Sequence, residues 1–193
     1  MKKLIGLVLA TALAVNGCKK DNPEADLPAA THTGANTAGC YINGQPFVAT
    51  GYGSGLGKVQ GIGGGFAYDS AYYLRLNGKF GNREGSLQIL LNSFPSSRNQ
   101  KLLGTYPLNQ TTPILPAATS NQCKSYAVFL PKDSPQEVYA TDASHTGEVK
   151  IIYVDLSVAY KTVVAGSFEF TASSNLDPTK TLQITGGRFD RQQ

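Results

Sequence analysis

The chain has little of what most enzymes use for chemistry. Histidine occurs twice, at His32 and His145, and cysteine three times, at Cys18, Cys40 and Cys123. There is no H-E-x-x-H pair, no C-x-x-C and no D-x-D-x-D-G loop, so the spacings that usually hold zinc or calcium are missing. No metal or cofactor is expected. Tryptophan is absent, which weakens a sugar-stacking platform. Charged residues are only 16% of the chain, and the basic ones (Lys58, Arg75, Lys124, Lys161) are scattered. Nucleic-acid binding needs a clustered basic footprint, so no nucleic-acid partner is expected.

Nucleophile motifs are scarce too. No Gly-x-Ser-x-Gly elbow exists. Asp142, Ser144 and His145 crowd together in DASHTGE, but triads assemble from distant positions and sequence neighbours rarely face one another productively. The stretch reads as a polar loop, and no catalytic residue is assigned. GYGSGLGKVQGIGGGF, residues 51–66, holds eight glycines and Lys58 but fails the phosphate-loop spacing, because Val59 follows the lysine. It reads as a glycine-rich edge or loop. A smaller share goes to a ligand-contacting surface with Tyr52, Tyr68, Tyr72 and Tyr73 as aromatic faces.

Long apolar runs are also lacking, with one exception at the start. Met1-Lys2-Lys3 precedes a 12-residue apolar run from Leu4 to Val15. As a helix it would reach about 18 Å, too short for a hydrocarbon core of about 30 Å. It has the form of a secretory leader. Its end, Val15-Asn16-Gly17-Cys18, resembles a bacterial lipobox, which implies a signal peptide over 1–17 and lipid attachment at Cys18. Asn16 departs from that pattern, since a small or hydroxylated residue is usual there. Two or three acyl chains would anchor durably, because each buried methylene contributes about 0.8 kcal/mol. Cys18-Lys19-Lys20-Asp21 resembles the signals that send some Bacteroidota lipoproteins to the outer face of the outer membrane. The expected location is the cell envelope, with a lean toward surface display. Residues 18–38, rich in Pro, Ala, Thr and Asn without apolar period, are expected to be a flexible tether.

From Gly39 to residue 193 the pattern has period two. Tyr41-Ile42 and Phe47-Val48 flank Asn43-Gly44, a strong hairpin signal. Pro46 confines its strand to an edge or to a start beyond it. Alternations follow at Leu74/Leu76, Leu87/Ile89/Leu91, Tyr126/Val128/Leu130, Val149/Ile151/Tyr153, Phe168/Phe170 and Leu182/Ile184. Ile152 and Val154 make the fourth of these apolar on both faces, so a central strand is expected. Asn77-Gly78, Leu103–Pro107, Asp133–Pro135 and Asp177-Pro178 read as turns. No helical periodicity follows residue 20. The expected class is all-β, an antiparallel two-sheet sandwich of about nine to ten strands, with a calycin-like barrel as the alternative.

THTGANTAGCYINGQPF, GTYPL, VAGSFEFTA and LQITGGRFD together resemble a family of uncharacterised Bacteroidota lipoproteins with a Gly-Ala-Asn-Thr-x-Gly-Cys opening. The resemblance covers most of residues 31–190 and implies fold and location, with no activity attached. An exported domain meets oxidising conditions, so Cys40 and Cys123 are expected to form a disulfide. The leading functional reading is a non-enzymatic envelope module that binds a glycan, peptide or protein, or spaces one from the membrane. A carrier of a small apolar ligand inside a barrel is second. A hydrolase built on an acid pair such as Asp142 with Glu148 is third.

Overall fold

The computed structural model describes residues 26–67, 71–92, 102–110, 125–158 and 161–193. Cys18, the leader and Cys123 lie outside them, and with Cys123 so does the expected disulfide. Among the described residues there are eleven strands: β1 (Thr37–Ile42), β2 (Gln45–Val48), β3 (Ile62–Ala67), β4 (Ala71–Phe80), β5 (Arg83–Asn92), β6 (Gly104–Leu108), β7 (Tyr126–Pro131), β8 (Tyr139–Ala140), β9 (Gly147–Asp155), β10 (Val163–Ser174) and β11 (Thr181–Gln192).

Eight of them close into an antiparallel barrel in the order β1-β2-β4-β5-β7-β8-β10-β11, with β11 returning to pair with β1. This is an up-and-down meander. The expected two-sheet sandwich is therefore corrected to a closed barrel. Two short strands make the closure: β2 meets β4 only at Phe47↔Phe80 and Val48↔Lys79, and β8 meets β10 only at Ala140↔Ser173 and Tyr139↔Ser174. Where these strands end, β3 continues alongside β4, and β9 with β6 continues alongside β10.

Local chemistry explains several elements. Asn43 and Gly44 both take positive φ, 49° and 78°, as a type I′ turn demands. Pro46 pairs with Tyr41 of β1, and β2 gains its second neighbour only from Phe47 onward, so the missing N–H of Pro46 costs no ladder bond. β9 does lie between two strands, but its second apolar face has a different origin. The register steps from Ala165↔Tyr153 to Gly166↔Ile151, so Ile152 is a bulge residue, and it is exposed.

Two expected turns are strands. Asn77-Gly78 lies inside β4: the Asn77 side-chain amide donates to the Gln60 carbonyl at 2.7 Å, and Gly78 admits the Val48 carbonyl where a Cβ would sit 2.1 Å away. Gly104–Leu108 is β6, with Pro107 on an edge.

The barrel interior is filled by side chains. Phe129 packs edge-on against both Phe47 (6.2 Å between centroids) and Phe80 (5.4 Å). Toward the other end Tyr72 stacks on Phe189 at 6.4 Å and meets Phe66 edge-on at 5.4 Å. Leu74, Leu76, Leu87, Ile89 and Ile151 fill between them, and Cys40 is fully buried among this group. Each such burial contributes roughly 1.5–3 kcal/mol. Tyr126, Val128 and Leu130 belong to a second, outward-facing apolar cluster with Leu90 and Ala71, whereas Ala127 and Phe129 point inward.

Residues 27–36, expected to be the end of a free tether, lie on the barrel instead. Leu27 is buried, and Leu27 and Pro28 rest over Gly39, within 3.3 Å of where its Cβ would stand. We call residues 27–36 the strap. β1 begins at Thr37, ahead of the expected boundary at Gly39.

Candidate functional site

Polar side chains gather at several places among the described residues, three of them on or beside β9, β10 and β11. The first is Asp190, on the outward face of β11 and only 1% exposed. Its neighbours in the row are Ala165 of β10 and Thr37 of β1. The strap crosses this row. Thr31 donates its hydroxyl to Asp190 Oδ2 at 2.6 Å, and the amides of Thr33 and Ala35 donate to the same oxygen at 2.9 and 3.1 Å. The Gly34 amide donates to Oδ1 at 2.8 Å. Burial pushes the Asp190 pKa up, but the Thr31 hydroxyl and the three amides outweigh it, and the carboxyl titrates below its ordinary value. Gly34 needs its φ of 78°, and a Cβ there would press on Gln192. Asn36, at φ 56°, accepts from the Gln192 amide and from Arg191. His32 rests on the ring of Tyr153 at 4.8 Å.

The second place is DASHTGE. Asp142 Oδ1 accepts the amides of Ser144 and His145, both at 2.7 Å, and His145 Nδ1 lies 3.0 Å from Oδ2. The Ser173 hydroxyl donates to Oδ2 at 3.3 Å. Burial raises the Asp142 pKa, but the His145 ring and the two amides pull it down to about 2. The carboxylate caps its own turn and ties it to β10. Ser144 binds through its backbone and Ser173 binds the aspartate, so the arrangement is a turn cap rather than a triad in sequence order. A similar cap involves Glu137 Oε1, which accepts the hydroxyls of Tyr139 and Ser174, both at 3.0 Å.

The third place is open to solvent. A shallow depression of about 200 Å³ lies on the outer face of β9, β10 and β11, lined by Glu148, Lys150, Ser167, Glu169 and the Gly186-Gly187 pair. Glu148 and Glu169 stand directly opposite one another across β9 and β10. Beside Glu169, β11 bulges: Phe168 pairs with Gly187 and Phe170 with Ile184, so Thr185 and Gly186 together face one residue. Gly186 takes the left-handed φ of 59° that such a bulge uses. Like charges directly opposite destabilise a sheet, so this pair is held despite a local cost.

The acid pair suggested by the sequence, Asp142 with Glu148, is thus replaced. Asp142 is committed to its turn, and Glu148 faces Glu169. The four tyrosines of the suggested aromatic surface are dispersed: Tyr72 is inside the barrel, Tyr73 packs on the outer apolar cluster, Tyr52 lies under Lys132 at 4.5 Å, and Tyr68 is outside the described residues. The glycines of 51–66 serve close backbone approach. At Gly64 (φ 111°) a Cβ would stand 2.0 Å from the Tyr73 carbonyl oxygen. Its own carbonyl accepts from Arg191 Nε at 3.2 Å, which ties β3 to β11.

Among the described residues no three His, Cys, Asp or Glu side chains come close enough to hold a metal ion. Burial pushes the Cys40 thiol far above its ordinary pKa, so its thiol stays protonated in the absence of a partner. In comparisons with known proteins, no family model matches the chain, nor does any curated protein or solved structure.

Proposed function

We propose that the chain is a lipid-anchored module of the cell envelope, held through Cys18, whose barrel binds or spaces a partner rather than catalysing a reaction. The observation that carries this reading is how the buried and half-buried acids are used. Asp190, Asp142 and Glu137 all accept hydrogen bonds from the fold itself and fasten one element to another. Asp190 and Asp142 both titrate below their ordinary value, the opposite of what a general acid at neutral pH needs. The sequence supplies the anchor: a short leader ending in Gly17-Cys18. The polar face around Glu148, Lys150 and Glu169 is the surface available to a glycan, peptide or protein partner.

The meander order is that of a calycin-like barrel, which supports the carrier of a small apolar ligand as the second reading. The rings of Phe47, Phe129, Tyr72 and Phe189 inside the barrel weigh against it. Titration with a fluorescent fatty acid separates the two: saturable uptake by the barrel would favour the carrier.

Fractionation tests the primary reading. A Cys18→Ser variant should leave the membrane fraction for the soluble one while its barrel melts at the wild-type temperature. Retention of that variant in the membrane would overturn the anchor. Protease added to whole cells should cleave the wild-type chain if it is displayed outside; cleavage only after outer-membrane rupture would place it within.

A further inference from the structure

The depression on β9, β10 and β11 is built from two rows of opposite charge. Val149 and Ile151 belong to the interior, so Glu148 and Lys150 both face out from β9. Glu148 lies opposite Glu169, and beyond Glu169 the β11 bulge brings Gly186, which has no side chain. Lys150 lies opposite Ser167, and Ser167 opposite Arg188 of β11. The acidic row and the basic row are two residues apart along each strand, about 7 Å at the usual rise. The space of about 200 Å³ is lined by both rows and by the Gly186-Gly187 backbone. The Tyr41 ring closes its far side, 3.4 Å from where a Cβ of Gly186 would stand.

The charges in this space are uncompensated. The side chains of Glu148, Lys150 and Glu169 make no hydrogen bond or ion pair among the described residues. Elsewhere acids are used up by the fold: Asp142 and Asp190 by amides, and Glu84 by two lysines. A bare metal ion suits the depression poorly. Calcium takes six to eight oxygens, and no third acid joins the glutamate pair. Lys150 would also repel a dication. An ammonium group suits it better, because its three N–H donors can be shared by two carboxylates. The basic row then calls for an anion on the same ligand, about 7 Å from the ammonium.

We propose that the depression receives a polypeptide chain that ends in lysine, with the lysine ammonium between Glu148 and Glu169 and the terminal carboxylate at Lys150. The proposal rests on the reading of the barrel as a binding module and names the chemistry of its partner. In an extended lysine the four-carbon stem separates the ammonium from the carboxylate by a span that matches the distance between the rows. Free lysine fits less well, since it would press its second ammonium toward Lys150. At a chain terminus that nitrogen is a neutral amide.

Nα-acetyl-lysine is the probe, titrated into the full chain while backbone amide resonances are followed by NMR. Exposed ion pairs contribute little each, so a dissociation constant of about 1 mM is expected. The amides of Lys150, Ser167 and Gly187 should shift saturably. Glu148→Gln with Glu169→Gln should weaken binding at least about tenfold while the chain stays folded, because it relieves facing like charges. Lys150→Gln should weaken acetyl-lysine but leave butylamine unchanged. No saturable shift by about 20 mM probe, or equal binding by the double Gln variant, overturns the site. Free lysine binding as tightly as acetyl-lysine overturns the chain terminus as its source. The same shifts produced by calcium and not by acetyl-lysine overturn the ammonium assignment. Binding by a chain whose Cys18 carries no lipid leaves the site standing and removes the anchor; an acylated chain that ignores the probe does the reverse.

Discussion

The Thr31 hydroxyl reaches the Asp190 carboxylate at 2.6 Å across 159 positions of sequence. With the amides of Thr33, Gly34 and Ala35, it encloses a carboxylate that is almost wholly out of water. Unpaired, such a charge would be costly to bury. Here each oxygen has donors, and the first and last parts of the described chain are fastened together by them.

Asp190→Asn keeps the shape but replaces a charged acceptor with a neutral amide that must also find acceptors for its own N–H groups. A loss of about 3 kcal/mol is expected, since hydrogen bonds to charged groups contribute roughly 1.5–3 kcal/mol each and are not additive. For a domain of this size that corresponds to a fall in Tm of roughly 6–12 °C. Thermal unfolding followed by circular dichroism checks this, and a change below about 1 kcal/mol would contradict it.

Acid should weaken the fold through the same residue and through Asp142. Both carboxyls titrate below their ordinary value in the folded state, Asp142 at about 2. A depressed folded pKa means that the unfolded chain binds protons first as pH falls. The stabilisation is therefore complete above the unfolded value of about 3.9 and is lost as pH drops from there through the folded values. Urea midpoints at pH 5, 3 and 2 should decline in that order. Asp142→Asn should flatten the decline between pH 4 and 2.

The glycine-rich stretch supplies a paired comparison. Gly64→Ala must fit a Cβ 2.0 Å from the Tyr73 carbonyl at a φ of 111°, and should prevent or severely weaken folding. Gly57→Ala meets nothing within 4 Å and has no left-handed φ, so its effect should stay within about 0.5 kcal/mol. Equal effects at the two positions would contradict a structural role for the run.

In the interior, Phe129→Ala removes the ring that meets both Phe47 and Phe80, and should cost about 3–5 kcal/mol. On the outer depression, Glu169→Gln removes one of two facing like charges and should stabilise by roughly 0.2–1 kcal/mol. Destabilisation there in the purified protein would mean that the carboxylate pair has a favourable partner.

The strand pattern was legible because side chains in a half-buried strand alternate, and Leu74/Leu76, Leu87/Ile89/Leu91 and Phe168/Phe170 all face the interior as that period requires. Asn43-Gly44 was legible because only a few residues accept its φ values. Closure was not. It depends on two paired residues of β2 and two of β8, and period two carries no record of which edges meet. The strap was hidden for a different reason. It docks by hydrogen bonds from backbone amides to one distant carboxylate, which leaves no apolar period, so THTGA looks like a tether. A short run of Gly and Asn able to take positive φ, next to threonines, was the available signal. The depression could not be read either, since Glu148 and Glu169 meet only through register.

The anchor at Cys18 is the claim on which the proposed location depends. Intact-mass and N-terminal peptide spectrometry of the chain purified from its native envelope tests it most directly. The account expects a mature chain whose first residue is Cys18, carrying diacylglycerol and followed by Lys19. A mature chain that retains residues before Cys18, or begins after it, with no lipid mass on that cysteine, would contradict the account.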